Sequence, residues 1–242
     1  MIKGVGNTLL LKNREEKTPV DKRGWKRPSP YYTLQSMFLD PEKSLSKHRI
    51  NLPHWQQEGT WVFVTWRQAD SLPEKVVNKI LSHRVEWEQN NPKPWDEAAM
   101  RDRNRLFTLR FEELLDGCHG SCLLRDPSQR EAVTTALHHF DSERYELGAY
   151  VVMPNHVHVL FRLLGEHRLE EVIHSWKLFS ASRINKMAGR SGKVWQAEYW
   201  DRLMRSQAHY DWTQRYIESN PGDMPQEWYS LWRRVFPSPS EE

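Results

Sequence analysis

The chain has 242 residues and a formal net charge of +3, from 35 Lys and Arg against 32 Asp and Glu; 38% of its residues are hydrophobic and 12 are Trp. That length suits one domain with additions, and the aromatic content is too rich for a wholly disordered chain. Two cysteines exclude a disulfide framework, no apolar run spans a membrane, and the first ten residues lack the apolar core of a secretory signal, so a cytoplasmic protein is expected.

Residues 1–55 are polar and broken by Pro19, Pro28, Pro30, Pro41 and Pro53. Residues 1–58 hold 11 Lys and Arg against 6 acids, so the basic excess is an N-terminal feature and the remainder is slightly acidic. We read 1–55 as a basic, largely irregular tail with a short ordered piece around 31–39. Such an arm is either a leader without function or a segment that tightens on a polyanion.

The first strand is expected at Trp61–Trp66, which is dense in aromatic and β-branched residues. A helix capped by Asp70 or Ser71, with Pro73 in its first turn, carries Val76, Val77, Ile80 and Leu81 and stops at Asn90–Pro94. Residues 96–114 are consistent with helix, and 118–124 with a loop holding a short extended piece. Cys118, His119 and Cys122 in that loop have no fourth ligand at finger-like spacing, which favours reduced cysteines over a zinc site. Pro127 opens a helix running to about Asp141. Strands at 145–153 and 156–164 follow, joined through Pro154 and Asn155.

An amphipathic helix with Leu169, Val172, Ile173, Trp176, Phe179 and Ile184 on one stripe comes next, then a loop at Gly189–Gly192, an extended piece near 199–204, and a last helix over about 209–219. This order predicts an α+β fold in which an antiparallel sheet carries helices packed on one face. No Gly-rich phosphate loop precedes a helix, so no nucleotide cofactor is expected.

Within the second of the paired strands, His156 and His158 alternate with Val157 and Val159. Strand geometry puts both imidazoles on one face, either as two satisfied core histidines or as two ligands of one divalent metal ion. On the last helix, Tyr216 and Asn220 are four residues apart and share a face. The amide oxygen of Asn220 would add a third ligand and the phenol of Tyr216 would lie beside it; the competing readings are a packing tyrosine and a helix C-cap. A phenol titrating near pH 10 becomes a useful nucleophile where a metal ion polarises the electrophile, and phosphodiester cleavage meets that condition.

The segment Met153-Pro154-Asn155-His156-Val157-His158-Val159-Leu160 and the C-terminal Tyr216-Ile217-x-x-Asn220-Pro221 resemble the two signatures of the HUH single-tyrosine transposases, most closely the REP-associated branch. Trp195-Gln196, Tyr199-Trp200-Asp201-Arg202 and the loop Gly120-Ser121-Cys122-Leu123-Leu124 are also similar. The resemblance covers about residues 55–225, with the domain at 56–225 and a C-terminal tail at 226–242. It implies a ferredoxin-like fold, His156, His158 and Asn220 as metal ligands, Tyr216 as nucleophile, and Mg²⁺ or Mn²⁺ as the ion.

It further implies cleavage and rejoining of single-stranded DNA beside hairpins through a 5′-phosphotyrosine, without nucleotide hydrolysis, by a monomer or homodimer associated with the nucleoid. Lys177, Arg183, Arg190, Lys193, Arg202 and Arg205 are the candidate DNA contacts. Two other readings remain: a domesticated DNA- or RNA-binding protein of the same fold with little cleavage, and a metal-dependent hydrolase that uses water.

Overall fold

In the computed structural model, residues 37–49, 53–92 and 94–235 are described. They belong to one compact unit, Thr33–Glu242. Most of the expected basic tail therefore lies outside the described residues.

Five strands form one antiparallel sheet: β3 (Trp61–Arg67), β4 (Tyr145–Val152), β5 (His156–Leu163), β6 (Trp200–Leu203) and β7 (Ser230–Arg233), in the order β6-β3-β5-β4-β7; a separate hairpin pairs β1 (Ser46–Arg49) with β2 (Pro53–Gln56). The helices are α1 (Glu74–Asn90), α2 (Glu97–Arg103), α3 (Arg110–Asp116), α4 (Pro127–His138), α5 (Leu169–Met187) and α6 (Gln207–Ser219), with a π-helical stretch, Asn104–Leu109, between α2 and α3. Two crossovers, β3 through α4 to β4 and β5 through α5 to β6, with the order β6-β3-β5-β4, give the ferredoxin-like sheet expected from sequence; β7 extends it at the β4 edge.

The core follows from strand alternation. Val62, Val64, Val157, Val159 and Phe161 point to one face and are buried with Val133 and Leu137 of α4 and Val172, Ile173 and Trp176 of α5. Trp61, Phe63, Leu160 and Val151 point to the other, where Tyr210 and Ile217 of α6 cover them. Helices α4 and α5 thus share one face as expected, and α6 adds a layer on the opposite one. The approach of α6 is close: a Cβ on Gly148, at the bulge in β4, would lie 2.7 Å from Tyr210 Oη and 2.9 Å from the Trp61 ring.

Several expectations change in detail. Pro73 is itself the N-cap of α1; the Asp70 carboxylate instead accepts from Ser121 N at 2.9 Å, and Ser71 Oγ donates to Gln68 O. The short piece near 118–124 is a 3₁₀ turn at Leu123–Arg125, not extended. Both cysteines are free. Strand β7 occupies residues expected in a C-terminal tail, and β1–β2 lies in the segment expected to be irregular. The hairpin is docked by buried His54, which hydrogen-bonds Asp201 through Nδ1 and stacks on Tyr199 with centroids 3.9 Å apart.

Candidate active site

The sheet register puts the two histidines opposite defined partners. Thr65 is paired with His158 and Arg67 with His156, so Thr65, Arg67, His156 and His158 all face α6. Both imidazoles are buried, and their ring centroids are 4.8 Å apart at 78°.

Each Nδ1 already has a partner. Asn155 Oδ1 lies 2.8 Å from His156 Nδ1, while Asn155 Nδ2 donates to the carbonyls of Leu115 and His119, both at 3.1 Å. Those two donations orient the amide, and a carbonyl oxygen can only accept. The network therefore assigns the proton of neutral His156 to Nδ1 and leaves an Nε2 lone pair. Thr65 Oγ1 lies 2.7 Å from His158 Nδ1, where a hydroxyl is able to accept in the same way. A ligating histidine has its second nitrogen held by such a partner.

The opposite edges have no hydrogen-bond partner. Among the described residues His156 Nε2, His158 Nε2 and Asn220 Oδ1 are buried without one. Buried polar atoms are normally satisfied, so three orphaned acceptors converging from β5 and α6 require an explanation. Burial holds both imidazoles neutral: it pushes His156 down to about 3, against a smaller opposing contribution from Asn220, and takes His158 well below its ordinary value with help from His156. Two neutral imidazoles and an amide oxygen are a donor set for a divalent cation.

Helix α6 brings the phenol to the same place. Ser206 caps it, accepting from His209 N at 3.2 Å. Asn220 is the C-cap residue and keeps helical dihedrals (φ −57°, ψ −36°), so the four-residue spacing from Tyr216 holds although the helix ends at Ser219. Asn220 Nδ2 donates to Tyr216 Oη at 3.3 Å, which turns Oδ1 away from the phenol. The Tyr216 ring meets the His158 ring at 5.5 Å and 73° and the Phe63 ring at 6.0 Å and 87°; on its outer side it stacks on Trp212 at 5.8 Å and 11°. Trp212, 48% exposed, is an open aromatic surface beside the phenol.

The six basic residues proposed as DNA contacts do not gather at this site. Lys177, on α5, donates to the carbonyls of Ala197 and Glu198, and burial lowers its pKa to about 8. Arg183 is exposed beside Phe179, and Arg190 and Lys193 are exposed in the loop after α5. Arg202, half-buried on β6, is paired with Phe63 and so belongs to the histidine face; Arg205 is exposed just after it.

Sequence reasoning missed Asp116, Thr65, Arg67 and Trp212, and it read Asn155 only as a turn-forming residue between the two strands. Alternation along β3 carries a signal for Thr65 and Arg67, and Trp212 lies four residues before Tyr216. Asp116 has no local signal, being one acid among several around α3. Arg67, half-buried near Phe111 and donating to Ser71 Oγ at 3.1 Å, is the cation paired with His156.

Two solved structures are similar in outline. One is a REP-associated tyrosine transposase bound to a REP hairpin, 15% identical with a TM-score of 0.35, the alignment covering 73% of this chain and 72% of that one. The other is a putative transposase from Deinococcus radiodurans R1, 16% identical with a TM-score of 0.28, covering 66% and 89%. Both superpose loosely, and no curated protein matches. Residues 123–220, which hold His156, His158, Tyr216 and Asn220, match the family described as "Transposase IS200 like". That match covers 98 of the chain's 242 residues, and through that segment the chain is similar to the IS200-like transposases.

Proposed function

We propose that the protein is a metal-dependent single-strand DNA transposase that cuts and rejoins DNA near hairpins through a covalent 5′-phosphotyrosine. The observation that carries this reading is the convergence of three unsatisfied acceptors, His156 Nε2, His158 Nε2 and Asn220 Oδ1, beside the Tyr216 phenol. These atoms fit a divalent ion such as Mg²⁺ or Mn²⁺, which when bound would polarise a phosphate oxygen and stabilise the charge that develops on phosphorus.

The residues divide the remaining work. Tyr216 Oη attacks phosphorus, its new P–O bond forming as the P–O3′ bond breaks; the phenolic proton is released and the 3′ oxygen leaves as a hydroxyl after taking one up. The number of phosphodiester linkages is unchanged, so attack by another 3′-hydroxyl on the phosphotyrosine rejoins a strand without nucleotide hydrolysis. Asn220 fixes the phenol through Nδ2. The packing of Tyr216 between Phe63, His158 and Trp212 restricts its ring, which favours a near-attack geometry. An in-line attack needs a phosphate splayed out of a stacked duplex, and Trp212 offers an adjacent face for an unstacked base.

The test is incubation of end-labelled, hairpin-flanked single-stranded DNA with Mg²⁺ or Mn²⁺, followed by denaturing electrophoresis. The expected product is a protein–DNA adduct that is absent with Tyr216→Phe. An adduct that persists in that variant removes Tyr216 as nucleophile, and cleavage without an adduct assigns the chemistry to water.

A further inference from the structure

The carboxylate of Asp116 stands at the same cluster, contributed by α3. Its Oδ1 lies 3.6 Å from His156 Nε2. The network around Asn155 leaves Nε2 without a proton, so nitrogen and carboxylate oxygen face each other as two acceptors with no hydrogen between them. Asn220 Oδ1 is a third acceptor in this cluster. The Asn220 amide hydrogen-bonds the Asp116 carboxylate, which places Asp116, its side chain 40% exposed, beside Asn220 as well as beside His156. A proton on the carboxyl would relieve only the Asp116–His156 pair, whereas a cation between these groups would also satisfy His158 Nε2 and Asn220 Oδ1.

From this juxtaposition we infer that Asp116 is a fourth protein ligand of the metal, an anionic oxygen donor that turns a neutral His156–His158–Asn220 set into one suited to a hard ion. The inference rests on the metal-centre reading given above. Two ligands each about 2.1 Å from one ion, and about 90–110° apart at it, are separated by roughly 3.0–3.4 Å. The observed 3.6 Å is therefore within a few tenths of an ångström of a shared coordination sphere. Mg²⁺ and Mn²⁺ prefer carboxylate oxygen to imidazole, so the acid supplies what the other three donors lack.

The backbone holds the carboxylate where it is. Asp116 ends α3, and the Asn155 amide that orients His156 also grips the carbonyls of Leu115 and His119 on either side of it. The loop that follows is locked by Gly120, at φ +89°, where a Cβ would come within 2.5 Å of Asp70 O. Asp116 lies outside the family-matched segment 123–220, so the ligand would come from the stretch between β3 and α4.

Manganese binding, read as loss of the free Mn²⁺ paramagnetic resonance signal, tests this without reference to DNA cleavage. Wild type, Asp116→Asn, Asp116→Glu and His156→Ala are compared as full-length chains, each first melted in EDTA to establish that it folds. Asp116→Asn should weaken Mn²⁺ by about tenfold or more, and Asp116→Glu should bind more tightly than Asp116→Asn. If Asp116→Asn binds within about twofold of wild type while His156→Ala loses the ion, Asp116 is not a ligand and the three-ligand centre stands. Equal affinities for the Asn and Glu variants also overturn the inference, and failure of wild type to bind Mn²⁺ overturns the metal centre with it.

Discussion

At the residue scale the site depends on one side chain with two tasks. Asn155 is fully buried; its oxygen fixes the proton of His156 on Nδ1, and its nitrogen ties Leu115 and His119 beneath the same imidazole. Asn155→Ala removes three hydrogen bonds, leaving the Leu115 carbonyl with only Cys118 N, a loss on the order of 2–4 kcal/mol. The imidazole is then free to take the other tautomer or rotate. We expect Mn²⁺ affinity to fall by about 10–100-fold, as for the loss of a residue that orients a ligand. The test is a pairing of urea unfolding in EDTA with a Mn²⁺ titration. A variant that loses stability but keeps its metal affinity would reduce Asn155 to a structural staple.

At the element scale the decisive contact is between α6 and β4. The nucleophile helix carries the buried residues Tyr210, Thr213 and Ile217 and sits over Gly148, where a side chain has no room. Gly148→Ala forces Tyr210 and Trp61 apart. Overpacking of this kind costs about 1–3 kcal/mol, and the strain should move α6 relative to β5. Adduct formation should therefore fall more than DNA affinity, a difference read by single-turnover cleavage alongside a binding titration; equal losses would mean that α6 does not shift. The same contact shows what sequence can and cannot reveal. Alternation in β5 placed His156 and His158 on one face, and helical spacing paired Tyr216 with Asn220, because both are local periodicities. The layering of α6 on the face opposite α4 and α5, the addition of β7 to the β4 edge and the arrival of Asp116 beside His156 depend on long-range packing. No spacing within the chain encodes them. The hairpin β1–β2 was missed for a related reason: its strands are four residues long and are held by His54 against Asp201 and Tyr199, not by a pattern of their own.

At the scale of the whole molecule, burying two neutral imidazoles makes the stability of the metal-free protein depend on pH. An unfolded histidine takes up a proton near pH 6.5, whereas in the fold burial holds His156 down to about 3 and His158 well below its ordinary value. Below pH 6.5 the unfolded chain thus binds protons that the folded chain refuses. Stability is therefore present in full above that pH and declines as pH falls toward the folded values, by up to about 1.4 kcal/mol per pH unit for each histidine. Asp116 works in the other direction. Its folded pKa of about 6 lies above the ordinary carboxylate value, so as pH falls from 6 to 4 the folded state gains a proton that the unfolded chain does not yet hold. Because its side chain is 40% exposed and screened by solvent, the aspartate offsets only part of the contribution of one histidine over that window, and the net trend remains a loss of stability as pH falls. Urea midpoints in EDTA at pH 7, 6 and 5 should fall progressively, and the double variant His156→Gln, His158→Gln should reverse or flatten the trend because only Asp116 then titrates at the site. A wild-type midpoint that stays level from pH 7 to pH 5 would mean that the folded site admits protons on its histidines, and the two Nε2 atoms would lose their standing as lone pairs kept open for a cation.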